Sequence, residues 1–206
     1  MKVFWTYVCL LFFSNALFAT EVNIYSARKE ALIKPLLDRY TEQTGVEVNL
    51  VTGKADALIK RLELEGANSP ADLLLTVDVG RLHRAKQLNL LAAVESQSLN
   101  EAIPEIYRDP DGFWFGLSLR SRVIVYAKKS VSSERLSTYE ALADPVWKNK
   151  ICVRSSSNIY NQSLVSSLVA HLGEEKTELW AKALVSNLAR SPKGGDRDQI
   201  KAVSVG

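Results

Sequence analysis

The sequence predicts an α/β protein of two lobes with a cleft between them. Three observations carry that expectation. Short apolar strands alternate with amphipathic helices from residue 21 onward. Near residue 104 the alternation gives way to a mostly extended passage marked by Pro104, Pro110 and Gly112, which suits a crossing between lobes. From residue 138 the mixed pattern resumes. The 206 residues are 47% hydrophobic and 24% charged, enough to bury a core and far from a disordered composition. A formal net charge of +3 with scattered cations gives no footprint for nucleic acid.

Residues 1–20 read as a cleavable export signal. Met1-Lys2 is the positive end, Val3 to Phe13 is nearly all apolar, and Ser14-Asn15 breaks the run before Ala16 and Ala19. A cut after Ala19 leaves Leu17 where a small residue is preferred, and an uncleaved anchor is the alternative. No later run is apolar enough to span a bilayer, so the mature protein is expected without membrane insertion. Cys9 leaves with the signal, which makes Cys152 an odd cysteine in an oxidising compartment. It is either a buried free thiol or paired with a partner beyond Gly206. Ala202 to Gly206 reads as a strand entering a turn, so more chain is expected after it.

Within 21–119, the first lobe, Val22 to Tyr25 is a strand that ends in Ser26-Ala27-Arg28. Residues 29–43 place Leu32, Ile33, Leu36, Leu37 and Tyr40 at helical spacing, stopped by Gly45. Val46 to Val51 alternates as a strand, and Ala55 to Glu65 is a helix on Leu58, Ile59 and Leu62 that closes at Gly66. Leu73 to Val77 is a third strand, apolar throughout as buried parallel strands are. A weaker helix covers 79–88. Phe113 to Leu119 and Arg122 to Ala127 are two extended segments. In the second lobe, 120–206, a short helix covers Thr138 to Leu142 and a strand covers Lys150 to Arg154. Helices at 162–172 and 174–190 follow.

In such folds ligands sit beyond the carboxyl ends of the strands. No catalytic motif stands in the sequence: neither a G-x-S-x-G elbow, nor H-E-x-x-H, nor a phosphate loop. His83 and His171, the two histidines, fall on helical stretches with polar neighbours and are expected at the surface. Ser155 to Gln162 follows a strand and opens a helix, a geometry that can hold an anion on backbone N–H groups. Ser156 and Asn158 are candidates for that role, and simple N-capping is the alternative. Arg28, Arg120 and Arg122 stand at strand ends or at the lobe crossing, where planar guanidinium groups could bind an oxyanion or form salt bridges.

Several stretches together resemble the bacterial periplasmic ferric-iron-binding proteins, the solute receptors of iron ABC transporters. They are Val22 to Arg28, Ser69 to Asp78, Gly116 to Arg122, Trp147 to Lys150 and Ser155 to Gln162. The resemblance implies a two-lobed, type II Venus-flytrap fold, a periplasmic monomer, and a permease in the inner membrane as partner. It implies capture of Fe(III) through tyrosinates, with carbonate or another small anion completing the site. Tyr160 matches a ligand tyrosine of the family, with Tyr25 a second candidate that packing would equally explain. Arg28, Arg120, Arg122, Ser156 and Asn158 would hold the anion. Some members use a His in the first loop and a Glu after the third strand, where this sequence has Arg28-Lys29-Glu30 and Val77. The family's adjacent tyrosine pair is expected just after Gly206, which implies C-terminal truncation and weak iron binding by these 206 residues alone.

The chemistry agrees with that implication. Fe(III) is a hard cation that prefers oxygen donors, and a free tyrosine titrates near about 10, so the metal must displace its proton. Two other classes are weighed: a receptor for an anionic organic solute or polyamine on the same fold, and an exported hydrolase. Loss of binding in Tyr160→Phe favours iron, loss only on arginine replacement favours an organic anion, and turnover abolished at one Ser or His favours the enzyme.

Overall fold

A computed structural model describes residues 20–205, and the signal-peptide reading and Cys9 lie outside them except for Thr20. Two compact units divide at Val77/Asp78. This division falls earlier in the chain than the expected lobe boundary at 119/120.

The first unit is a β-α-β-α-β run. Strand β1 (Glu21–Ser26) pairs in parallel with β2 (Glu47–Thr52) on one side and β3 (Leu73–Leu75) on the other. The register sets Ile24 opposite Leu50 and Leu73, and Tyr25 opposite Val51 and Leu74. As the central strand, β1 buries Ile24, Tyr25 and Ser26. Between the strands run α1 (Glu30–Thr44) and α2 (Ala55–Glu65). Gly45 ends α1 in the left-handed conformation, φ 74°, and donates its N–H to Thr41 O, a geometry glycine adopts without Cβ strain. The spacing of Leu58, Ile59 and Leu62 buries all three against the sheet side of α2. In α1 only Ile33 is buried, and Leu32, Leu36 and Tyr40 of the expected stripe are exposed.

Beneath this sheet the Tyr25 ring is 1% exposed, and its hydroxyl donates to both Glu65 oxygens at 2.9 and 3.0 Å. Arg61 Nε donates to Glu65 at 2.6 Å while its guanidinium carbon lies 4.7 Å from the Tyr25 ring centre. Burial, with Glu65 adding to it, raises the Tyr25 phenol above its ordinary value. Hydrogen bonds from Ser69 and then Arg61 hold the Glu65 carboxyl below its own.

The second unit is mainly helical: α3 (Val79–Gln87), α4 (Gln97–Ala102), α5 (Ile159–Leu172), α6 (Glu174–Ser186) and α7 (Asp196–Ser204). Its core includes Ala85, Ile103, Trp147, Leu168 and Trp180. The indole N–H groups of the two tryptophans are not wasted on burial: Trp147 donates to Ala141 O at 3.0 Å and Trp180 to Tyr139 O at 2.8 Å. Lys86 ties α3 to the turn at 108–115, donating to Asp109 at 2.9 and 2.8 Å and to Asp111 at 2.8 Å. Burial disfavours the charge on Asp109, but the Lys86 ammonium and the Phe113 N–H outweigh it and hold its carboxyl below the usual range.

Several sequence expectations are corrected here. The segments 113–119 and 122–127 form no ladder, and the passage holds a single antiparallel bridge, Arg108 to Phe115. Alternation marks a strand only where a neighbour takes the hydrogen bonds, and Leu117, Leu119 and Val123 are about 70% exposed here. The strand expected at 150–154 reduces to one parallel bridge, Ile151 to Leu188. The helix expected at Thr138 to Leu142 is a 3-10 turn over Glu140–Ala143. Helix α6 stops at Ser186 because the Asn187 amide turns inward and donates to Leu142 O and Asp144 O. Of the strand expected at 202–206, residues 202–204 are instead the last residues of α7, whose start is fixed by Gly195 N donating to Asp198 at 2.6 Å, and Gly206 lies outside the described residues. Local capping at Gly195 outweighs the strand preference of Val203. Helix α4 was not anticipated, although Ser96 caps it through Leu99 N.

Candidate functional site

Helix α5 begins where the sequence left two roles open. Asn158 is its N-cap, the side-chain oxygen accepting from Tyr160 N at 3.1 Å. The Asn158 N–H donates to Ser155 O, and those of Asn161 and Gln162 donate to Asn158 O. Asn161 closes the loop from the other side, its amide donating to Arg154 O at 2.8 Å and Ser155 O at 3.1 Å. Ser155 and Ser157 share a hydrogen bond of 2.9 Å, and Ser156 is exposed. The loop thus spends several of its donors on itself and presents Tyr160 from the first turn of a capped helix.

Around the half-buried Tyr160 three guanidinium groups converge. Arg120 Nη1 donates to the phenolic oxygen at 3.1 Å. The guanidinium carbons of Arg122 and Arg154 lie 5.0 and 5.3 Å from the ring centre, within cation–π range. Arg154 was not singled out from the sequence, although it directly precedes the serine loop. Two of the three are already matched by carboxylates. Arg154 pairs with Asp196 at 2.9 Å, and Arg122 pairs with Asp78 at 3.3 Å. Among the described residues Arg120 has no carboxylate partner.

Asp78, the last residue of the Ser69–Asp78 stretch, was not singled out from the sequence either. Its backbone takes φ 74°, a conformation that strains a residue with a Cβ by about 1–3 kcal/mol. It persists because the side chain, 7% exposed, is held at three points. Oδ1 accepts from Gly80 N at 3.0 Å and from Ser163 Oγ at 2.7 Å, and Oδ2 accepts from Arg122. Gly80 permits this crowding, since a Cβ there would stand 3.2 Å from Asp78 Oδ1 and 3.5 Å from Ile159. Ser163 is three residues after Tyr160 and so on the same face of α5.

Two further sequence candidates, Arg28 and Tyr25, belong to the first unit. Arg28 follows β1, half-buried, with its backbone N–H on Ser26 Oγ at 3.1 Å. Tyr25 has the packed, hydrogen-bonded position described above, the packing role that the sequence left open. Cys152 is a free, half-buried thiol. His83 and His171 are exposed, as expected. Among the described residues no cluster of three or more His, Cys, Asp or Glu could hold a metal ion.

Residues 68–204, well over half the chain, match the family model of bacterial extracellular solute-binding proteins. The chain belongs to that family. Relatives of this solute-binding protein include iron uptake protein A1 of Synechocystis sp., 54% identical over 186 residues, which cover 90% of this chain and 52% of that protein. The Fe(3+)-binding periplasmic protein of Serratia marcescens is 33% identical over 186 residues, 90% of this chain and 54% of its own. Among solved structures, a Trichodesmium FutA (IdiA) in complex with iron and citrate superposes with a TM-score of 0.86 at 51% identity, covering 90% of this chain and 59% of that one. The ferric binding protein of Campylobacter jejuni gives 0.83 at 43%, over 88% of this chain and 58% of its own. The solute-binding chain therefore spans about half the length of the curated relatives it matches. The expected fold class, that of the two-lobed periplasmic ferric-binding proteins, is the one found. Among the described residues no helix is long and apolar enough to cross a membrane.

Proposed function

We propose that the protein is a periplasmic receptor that captures Fe(III) together with a small anion and delivers it to an ABC-transporter permease. The observation that carries this reading is the Tyr160 hydroxyl in hydrogen-bond contact with Arg120, on a ring flanked by Arg122 and Arg154. A phenolate oxygen is a hard donor suited to a hard trivalent cation, and the metal replaces its proton. Iron is cargo here, and binding weakens in acid as protons compete for the ligand.

In this reading Arg120 receives the anion beside the metal, carbonate or a carboxylate such as the citrate named with the Trichodesmium protein. Ser156, exposed on the loop, keeps the anion role expected from the sequence, while Asn158 caps the helix. Tyr25 packs beneath the first sheet and is not assigned as a ligand. Arg28 keeps the anion role expected from the sequence, and Arg122, also expected there, is paired with Asp78. Residues 1–20 are proposed as a cleaved signal, 21–119 and 120–206 as belonging to two lobes, and the receptor as a monomer that closes on its cargo.

The test is a titration of the protein expressed from its complete gene with ferric iron, in bicarbonate and in citrate. A saturable visible band from tyrosinate-to-iron charge transfer supports the reading, and the two arms identify the anion. A stable protein that gives no band in either buffer contradicts it and moves the assignment to an organic-anion receptor.

A further inference from the structure

The three arginines around Tyr160 are not equivalent, and Asp78 is the reason. We propose that Asp78 is a positioning residue: it holds Arg122 against the Tyr160 ring and leaves Arg120 as the cation that receives the anion. This inference rests on the receptor reading of the site and names a division of labour within it.

Asp78 Oδ2 accepts from Arg122 Nη2 at 3.3 Å, while Oδ1 is fixed by Gly80 N and Ser163 Oγ. Its carboxylate therefore cannot follow Arg122 if the guanidinium swings away, because α3 and α5 both grip it. Arg122 is in turn held 5.0 Å from the Tyr160 ring centre. A guanidinium already paired with a carboxylate that is 7% exposed has less charge to offer an incoming anion. Arg154 is also paired, more weakly, with the exposed carboxylate of Asp196 at 2.9 Å. Arg120 donates to the phenolic oxygen itself and has no carboxylate partner among the described residues, so an anion bound there lies next to the metal ligand. The left-handed backbone of Asp78 fits this assignment, since such strain is retained where a side chain must be aimed.

Two readouts test the proposal on the complete protein. In the iron-free state, side-chain ¹⁵N NMR of Arg122 reports its order: Asp78→Asn moves its Nε–H signal to the position of a solvent-exposed arginine. Asp109→Asn, which removes an ion pair elsewhere in the unit, controls for lost stability and leaves that signal in place. In the ferric state, Arg120→Gln raises the anion concentration needed for half-maximal colour about tenfold or more, the loss of one charge-assisted hydrogen bond. Arg122→Gln and Asp78→Asn raise it less than about threefold and shift the band maximum together. The proposal is overturned if Asp78→Asn leaves the Arg122 signal unmoved, or if Arg122→Gln weakens the anion as much as Arg120→Gln does. Should Asp78→Asn not fold, the comparison of the two arginine variants decides alone. An Arg122 signal that behaves as described in a protein with no ferric band keeps the positioning role and removes the receptor reading.

Discussion

Arg120 Nη1 donates to the Tyr160 hydroxyl across 3.1 Å, linking residues forty positions apart in sequence. This guanidinium is the group proposed to hold the anion beside the metal, and so to help retain the metal as protons compete for its ligands. Replacing Arg120 with Gln keeps a donor but removes the charge. Iron release on acidification should then begin at higher pH than in the wild type. A stopped acid titration followed by the visible band checks this, and coincident release curves would contradict it.

Glu65 carries a stability prediction for the first unit. Hydrogen bonds from Ser69 and Arg61 lower its folded-state pKa. A carboxyl with a depressed folded pKa adds stability above its ordinary range and loses it as pH falls through the folded value. Glu65→Gln should therefore lower the melting temperature at neutral pH and flatten the loss of stability between about pH 5 and the acid limit. Thermal melts across pH check both signs. Parallel curves for wild type and variant would remove Glu65 from the acid response.

Trp180, 7% exposed, packs on α6 beside the buried Thr177, and its indole donates to Tyr139 O. Trp180→Ala should cost about 3–5 kcal/mol of stability, since it opens a cavity and strips that carbonyl of its donor. Trp180→Phe retains most of the volume and should lie well below that value. Denaturant unfolding measures both, and equal losses would mean that the hydrogen bond rather than packing dominates.

Much of the first unit was legible in the sequence because its signals are local. Ala55 to Glu65 is a helix from end to end because three apolar residues share one face and Gly66 stops it. The strands β1 to β3 stand where short apolar runs lie between those helices. In the second unit the determinants are distant. Asn187 ends α6 through carbonyls some 45 residues away, which no periodicity reveals. The extended reading of 113–127 failed for the opposite reason: alternation was present and ladder partners were not. At the site, Tyr160, Arg120 and Arg122 could be picked out by residue type. The carboxylates that discriminate among the arginines, Asp78 and Asp196, stand 44 and 42 residues from Arg122 and Arg154, so sequence spacing gave them no mark.

Everything proposed for this site depends on Tyr160 binding the metal through its phenolic oxygen. The most direct measurement compares wild type with Tyr160→Phe in a ferric titration, reading the visible charge-transfer band and the iron bound after gel filtration. Phenylalanine keeps the ring beside Arg122 and Arg154 and removes only the oxygen. The expected result is an altered or lost band and iron affinity reduced by at least about a hundredfold, the loss of a metal ligand rather than of packing. An unchanged band with undiminished affinity would place the metal elsewhere and contradict the account.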